Sequence, residues 1–312
     1  MNRYVKDQPK VAAESQTRNA SRRPEALVAV SAATILLGSG PVAVGLTTLP
    51  TEQVVVLRLV MALPIVAVTA LAVRRWLSAR VFLLALPGAL LFSLHIFLFF
   101  SAVRTTSVAD VTFIQALQPL IVIAVAPRLF GERSGLRGML LALGGIVGVL
   151  LVVLGSAENG SMHPGGELLA VANLFAWTAY FLTSKRIRAR VGAVEYQASV
   201  NIVGGVLALP VAIFIGLDPR VVSASNWLLL LYVTVAAGIV GHALLNWAHP
   251  HVEALTSSML VLMAPVVASI GAAIFLHQPI TIAAACGGAL VLACASRAVA
   301  LSLNNSKNEG TT

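Results

Sequence analysis

Polar side chains are scarce along this chain, and several of those that interrupt its apolar stretches fall at helical spacing. Asn173, Trp177 and Tyr180 stand at i, i+4 and i+7, on one face of a helix. Gly238, His242 and Asn246 stand at i, i+4 and i+8, again on one face. Gln115 and Gln118 are a turn apart, next to Pro119, which kinks or breaks a helix. His95 and Ser39 stand alone in their stretches. Amides and imidazoles donate and accept hydrogen bonds, and aromatic rings supply an apolar wall. Such a set suits a zwitterionic or polar solute. His95, Gln115, Gln118, Asn173, Trp177, Tyr180, His242 and Asn246 are therefore the candidate substrate-binding residues. The same residue types also bond across from one membrane helix to another, so each lines a cavity or ties helices together. An exposed imidazole titrates near neutral pH, which would let His95 or His242 couple a solute to protons.

Arg58 is a cation inside an apolar stretch. Unpaired in lipid it is costly, so it snorkels outward, pairs with an anion or meets a charged ligand. Asp110 is the nearest plausible partner in the sequence, and a structural Arg58–Asp110 tie is the expectation. Glu253 opens an apolar stretch as an acidic first-turn residue. The stretches otherwise hold almost no acids, and neither a zinc-type HExxH motif nor a GxxxxGK[ST] phosphate loop occurs. Cys286 and Cys294 are eight apart in one stretch and cannot bridge on a straight helix. No metal site, cofactor or nucleotide is expected, so any transport would run on a gradient or downhill.

The elements that must position these residues are membrane helices. Of 312 residues 58% are hydrophobic and 11% charged, against about a quarter charged in a soluble domain. Too few charges remain to cover a water-soluble globule, and too many apolar residues are present for disorder. Apolar stretches lie near 27–46, 53–73, 81–103, 108–127, 136–155, 167–184, 196–216, 226–247, 254–276 and 279–301. Each is long enough to cross about 30 Å of hydrocarbon as a helix. The fold class expected is all-α integral membrane with ten transmembrane helices. Placing both termini in the cytoplasm puts eighteen of the twenty-one Lys and Arg on that side, two outside and Arg58 within a span. This positive-inside bias supports the even count. It also explains the net charge of +9 as topology and anionic-lipid contact, with no nucleic-acid partner implied. A bacterial inner membrane is the expected location, an organelle membrane the alternative.

The chain repeats itself. Ala62-Leu63-Pro64 and Ala208-Leu209-Pro210 are 146 apart, as are Pro119 and Pro265, and Phe130-Gly131-Glu132 and Leu276-His277-Gln278. His95 and His242 are 147 apart. The organisation expected is a polar tail over 1–26, one five-helix repeat over 27–155, a linker over 156–166, a second repeat over 167–301, and a tail over 302–312. Five is odd, so the second repeat would enter the membrane inverted. Two such halves meet around a midplane site in many secondary transporters. Gly144, Gly145, Gly148, Gly287 and Gly288 permit close helix approach, within the chain or in a homodimer.

The stretch 99–133, FFSAVRTTSVADVTFIQALQPLIVIAVAPRLFGER, resembles the signature of the EamA-type members of the drug/metabolite transporter superfamily. A small residue, a basic residue and a Thr/Ser turn open the helix, Pro119 interrupts it, and Gly-Glu-Arg closes it. Arg58 in VVVLRLVMAL resembles the Arg that marks the second helix of that family's first repeat. The second repeat keeps Pro265 but has Gln278 for Glu, and His249-Pro250-His251 for the basic turn. The resemblance implies ten helices in two inverted repeats, a central cavity between the halves and export of metabolites such as amino acids. Pro119, Pro265, Arg58 and Asp110 are expected in structural or gating roles. The reading reached is a secondary, alternating-access exporter of a small polar metabolite. A membrane enzyme or a non-transporting scaffold is the alternative.

Overall fold

The computed structural model describes residues 8–73, 77–106, 108–132, 135–156 and 164–309, and all regular structure among them is helical. The first half contains α1 (Gln8–Gly45), α2 (Thr51–Val73), α3 (Ala79–Thr105), α4 (Val108–Gln115), α5 (Gln118–Phe130) and α6 (Leu136–Ser156). The second contains α7 (Pro164–Arg188), α8 (Ala193–Phe214), α9 (Ala224–Tyr232) and a π-helical segment (Val233–Gly241) that runs straight into α10 (His242–Ala248). α11 (Ala254–Val261), α12 (Ala264–Phe275) and α13 (Ile282–Glu309) complete it. A backbone in hydrocarbon must satisfy its own N–H and C=O groups, and a helix does this within one segment.

Among the described residues, eight segments are long and apolar enough to cross a membrane: Arg22–Gly45, Thr51–Thr69, Ala79–Val103, Leu136–Leu154, Ala193–Phe214, Ala224–Ala248, Ala254–Phe275 and Ile282–Asn304. Two other expected stretches are not among these eight. Residues 108–127 form two short helices, α4 and α5, because Pro119 lacks the N–H that would continue the ladder, and Pro265 divides α11 from α12 in the same way; several side chains of α4 lie outside the described ones. α7 has 25 residues, but Glu167, Asn173, Trp177 and Tyr180 dilute its apolar character. The surface bears out an apolar surrounding: Ile213, Phe214 and Ile282 are 81, 91 and 85% exposed, which would be a liability in water and is ordinary against lipid.

The offset of 146 residues reappears in the backbone. α4 ends in a tightened turn, with the Leu117 N–H donating to the Ile114 carbonyl, and α11 ends likewise with Met263 donating to Leu260. The linking residues share one conformation, Leu117 at φ −74°, ψ −6° and Met263 at φ −75°, ψ −13°, each leading into a helix with Pro in its first turn. α5 closes at Gly131 in the left-handed region (φ 71°), and after α12 the corresponding His277 also adopts it (φ 55°). Glycine takes that conformation freely, whereas His277 takes it at a steric cost.

The halves interlock along their length. The most extensive packing between elements joins α6 to α13, α3 to α7 and α8, α2 to α8, and α1 to the π segment, α12 and α10. Every one of these pairs crosses between halves, so the inter-half interface is the core. Of the five glycines noted above, Gly144, Gly148 and Gly287 lie between α6 and α13, Gly145 meets Met259 and Leu262, and Gly288 meets Val266 of its own half. A Cβ added at Gly287 would sit 2.7 Å from Leu151 Cβ, and one at Gly148 2.8 Å from the Gly287 carbonyl. Only glycine lets α6 and α13 approach this closely. Cys294 packs its sulfur against Gly144 in the same seam.

Candidate functional site

Phe92 of α3 is 1% exposed and stands with Trp177 at the centre of an aromatic cluster. Its ring centroid lies 5.1 Å from that of Tyr180 and 5.0 Å, edge-on, from that of His242. Trp177 lies 4.8 Å from His95, 5.6 Å from Tyr180 and 6.4 Å from His242. His95 Nδ1 and Asn173 Oδ1 are 2.6 Å apart, and because an amide oxygen only accepts, Nδ1–H donates. α3 supplies Phe92 and His95, α7 supplies Asn173, Trp177 and Tyr180, and α10 supplies His242. Both halves therefore build the cluster.

A chain of amides continues it. Asn246 Nδ2 donates to the Tyr180 hydroxyl at 3.1 Å and to Gln197 Oε1 at 2.8 Å. Gln197 Nε2 in turn points at Asn201 Oδ1 and at the Gly238 carbonyl, both at 3.5 Å. The π segment makes this geometry available. Its wider turn shifts carbonyls off the ordinary ladder, and π segments are frequent at functional sites. The His242 Nδ1–H donates to the Ala237 carbonyl at 3.2 Å, which leaves Nε2 as an acceptor. Three amide atoms in this region are buried with no protein partner: Asn173 Nδ2, Asn201 Nδ2 and Asn246 Oδ1. Buried polar atoms are nearly always bonded, so such a concentration between two halves is unusual.

Arg58 of α2 faces the same region. With Phe92, Asn201, Thr234 and Gly238 it lines a residual cavity of about 10 Å³, enough for about one water molecule. Its charge acts on both His95 and His242. Among the described residues no carboxylate pairs with it. The expected tie to Asp110 falls on a side chain outside the described ones.

At the end where α5 and α7 finish and α11 begins, a second cluster bridges the halves. Lys185 Nζ lies 3.0 Å from Glu132 Oε1, donates to the His249 carbonyl at 2.9 Å and bonds the Val252 carbonyl. Glu132 Oε2 accepts the Ala254 N–H at 2.7 Å, capping α11 from the other half. Arg23 of α1 pairs with Glu253, and Glu253 also accepts from Thr256 at 3.0 Å. His249 is fully enclosed, edge-on to Phe181 at 4.6 Å, with neither ring nitrogen bonded. Burial, reinforced by the charges of Lys185 and Arg188, drives its pKa well below the ordinary value. Burial also lowers that of Lys185, and Glu132 opposes the effect.

The EamA-like transporter family matches this chain twice, over residues 24–154 and 164–296. The chain belongs to the EamA-like transporter family. The first match takes in most of α1 through α6, and the second takes in α7 through most of α13. No match is found among curated proteins. One solved structure, described simply as the crystal structure of a protein, covers 90% of this chain and 98% of its own with a TM-score of 0.76 and 22% identity. At that identity the likeness speaks for the fold.

Of the residues singled out in this EamA-like chain, the structure brings His95, Asn173, Trp177, Tyr180, His242 and Asn246 together. Gln115 is half-buried and takes no part. Gln118 is 2% exposed with Nε2 unpartnered, but it belongs to α5 and to none of the contacts above. Ser39 bonds Tyr232 at 2.7 Å at the exposed edge of α1. Pro119 and Pro265 sit at the matched helix breaks. Sequence reasoning missed Phe92, Gln197 and Asn201. The i, i+4 spacing of Gln197 and Asn201 was a usable signal, obscured because it lies where the stretch 196–216 begins. It also missed the bridging role of Lys185 and Glu132, whose charges carry a topology signal that masks a packing one.

Proposed function

We propose that this protein is a secondary transporter that works by alternating access and exports a small polar metabolite, an amino acid or a related compound, across a bacterial inner membrane. In this reading ten helices cross the bilayer as two inverted five-helix repeats, with both termini cytoplasmic. The recurrence of helix breaks and left-handed closures at one offset supports the repeats, and the positive-inside bias supports the orientation. The observation that carries the reading is the buried amide, imidazole and aromatic cluster shared by the two halves, with three amide atoms lacking a protein partner. A solute would satisfy those atoms and lie against Trp177 and Tyr180. The cavity beside Arg58 holds about one water, so a solute would enter as the surrounding helices part. The Lys185–Glu132 and Arg23–Glu253 pairs would close the cytoplasmic side, and the halves would part there when it opens. The direction of transport follows the family resemblance. Uptake and efflux by the purified protein in liposomes, against a panel of amino acids and other metabolites and with and without a proton gradient, tests the proposal. Movement of at least one solute is expected, and no movement of any would overturn it.

A further inference from the structure

We infer that Arg58 and Asn201 form a subsite for a carboxylate, so that the transported solute carries one. The inference rests on the transport reading and names the solute's charge. Three observations carry it. First, Arg58 is a cation within an apolar helix and has no carboxylate partner among the described residues. A charge so placed is costly unless something else neutralises it. Second, Asn201 is 5% exposed, its Nδ2 lacks a protein partner, and it lines the same cavity as Arg58. Third, the position equivalent to Arg58 in the second half is Gly204, 146 residues on, whose added Cβ would sit 3.4 Å from Leu59 and 3.7 Å from Ser93. The cation therefore occurs once, and the site takes one anionic group on one side.

The donor set is specific. A guanidinium presents N–H groups in a fixed fork that matches the two oxygens of a carboxylate, and the Asn201 amide adds a further donor. Nothing acidic among the residues described at this site competes for them. The cavity admits only the leading edge of a solute in this state. The rest would extend toward Trp177 and Tyr180 as α2 and the π segment part.

The test uses the full-length protein in liposomes. Counterflow is measured with the common amino acids, their carboxamides and the corresponding decarboxylated amines. Binding is read in parallel as thermal stabilisation of the purified protein by the same compounds. Carboxylate-bearing members should move and stabilise, while the amides and amines do neither. Arg58→Gln should slow counterflow at least about tenfold, the weight of a charged hydrogen bond, without lowering the thermal midpoint, because it removes a cation that has no carboxylate partner among the described residues. Asn201→Asp, which would give Arg58 an internal partner, should also abolish carboxylate transport in a folded protein. Amides and amines moving as fast as the amino acids would overturn the subsite while leaving the transporter reading intact. So would a thermal midpoint that falls in Arg58→Gln with counterflow per folded protein unchanged. If no panel member moves, the transport reading itself falls.

Discussion

Glu132→Gln would test whether the ion pairs between the halves hold one side of the protein closed. Glu132 Oε1 lies 3.0 Å from Lys185 Nζ, and Oε2 accepts the Ala254 N–H. Glutamine keeps the shape and one acceptor but removes the charge. Lys185 is 9% exposed, and breaking a buried pair by removing one partner costs about 3–5 kcal/mol. That figure is an upper limit here. The Lys185 ammonium keeps the His249 and Val252 carbonyls, Glu253 still acts on it, and the Glu132 side chain is 22% exposed. About 1.5–2 kcal/mol remains, or roughly a 10- to 30-fold shift toward a conformation in which the pair is apart. The assay is alkylation of a reporter at Ser257→Cys, a fully buried position one turn beyond Glu253 on α11, in a background without Cys286 and Cys294. In inside-out vesicles an impermeant maleimide should label the Glu132→Gln variant about tenfold or more faster than its parent, with both proteins equally monodisperse. Equal labelling rates would refute the reasoning, because the pair would then contribute nothing to closure.

Three further outcomes follow from the same geometry. Asn246→Ala removes the donor to both Tyr180 and Gln197, so the thermal midpoint in detergent should fall by the equivalent of about 2 kcal/mol, and transport should fall with it. His249 is enclosed beside Lys185 and Arg188, and its pKa is held well below the ordinary value of about 6.5. The closed form thus binds fewer protons than an opened one, so its advantage is complete above pH 6.5 and is lost as pH falls below that value. His251 on the same turn shifts in the same direction. Labelling at Ser257→Cys, taken at each pH relative to an exposed cysteine to cancel the loss of thiolate, should therefore rise between pH 7.5 and 5.5, and His249→Gln should flatten most of that dependence. Gly287→Val would force α6 and α13 apart at a contact where a Cβ has no room, so size-exclusion chromatography should show loss of monodisperse protein, whereas Gly165→Val, with nothing nearby, should leave it unchanged.

Much of the frame was legible because lipid imposes simple rules. Apolar length marked the crossing segments, and a recurring offset tied Pro119 to Pro265 and Gly131 to His277. The structure gives those pairs matching backbone conformations. The i, i+4 and i+7 spacing also grouped Asn173, Trp177 and Tyr180 on α7, and i, i+4 spacing grouped His242 with Asn246 on α10. Periodicity could not say which faces meet. Phe92 is one of eleven phenylalanines, and only the packing of α3 against the second half brings it to Tyr180 and His242. The π segment was equally hidden, since no residue type dictates it. Gln115 shows the converse limit: an amide inside an apolar stretch is equally consistent with a site and with a helix break, and here it stands at the break.

The most direct test of the central claim, that the shared cluster is the transport site, is amino-acid counterflow in liposomes by the parent protein and by Trp177→Ala. Trp177 touches His95, Tyr180 and His242 and takes part in neither inter-half ion pair. The parent should exchange labelled against unlabelled solute, and the variant, incorporated in equal amount and equally monodisperse, should lose most of that exchange. Exchange at the parental rate in Trp177→Ala would contradict the account.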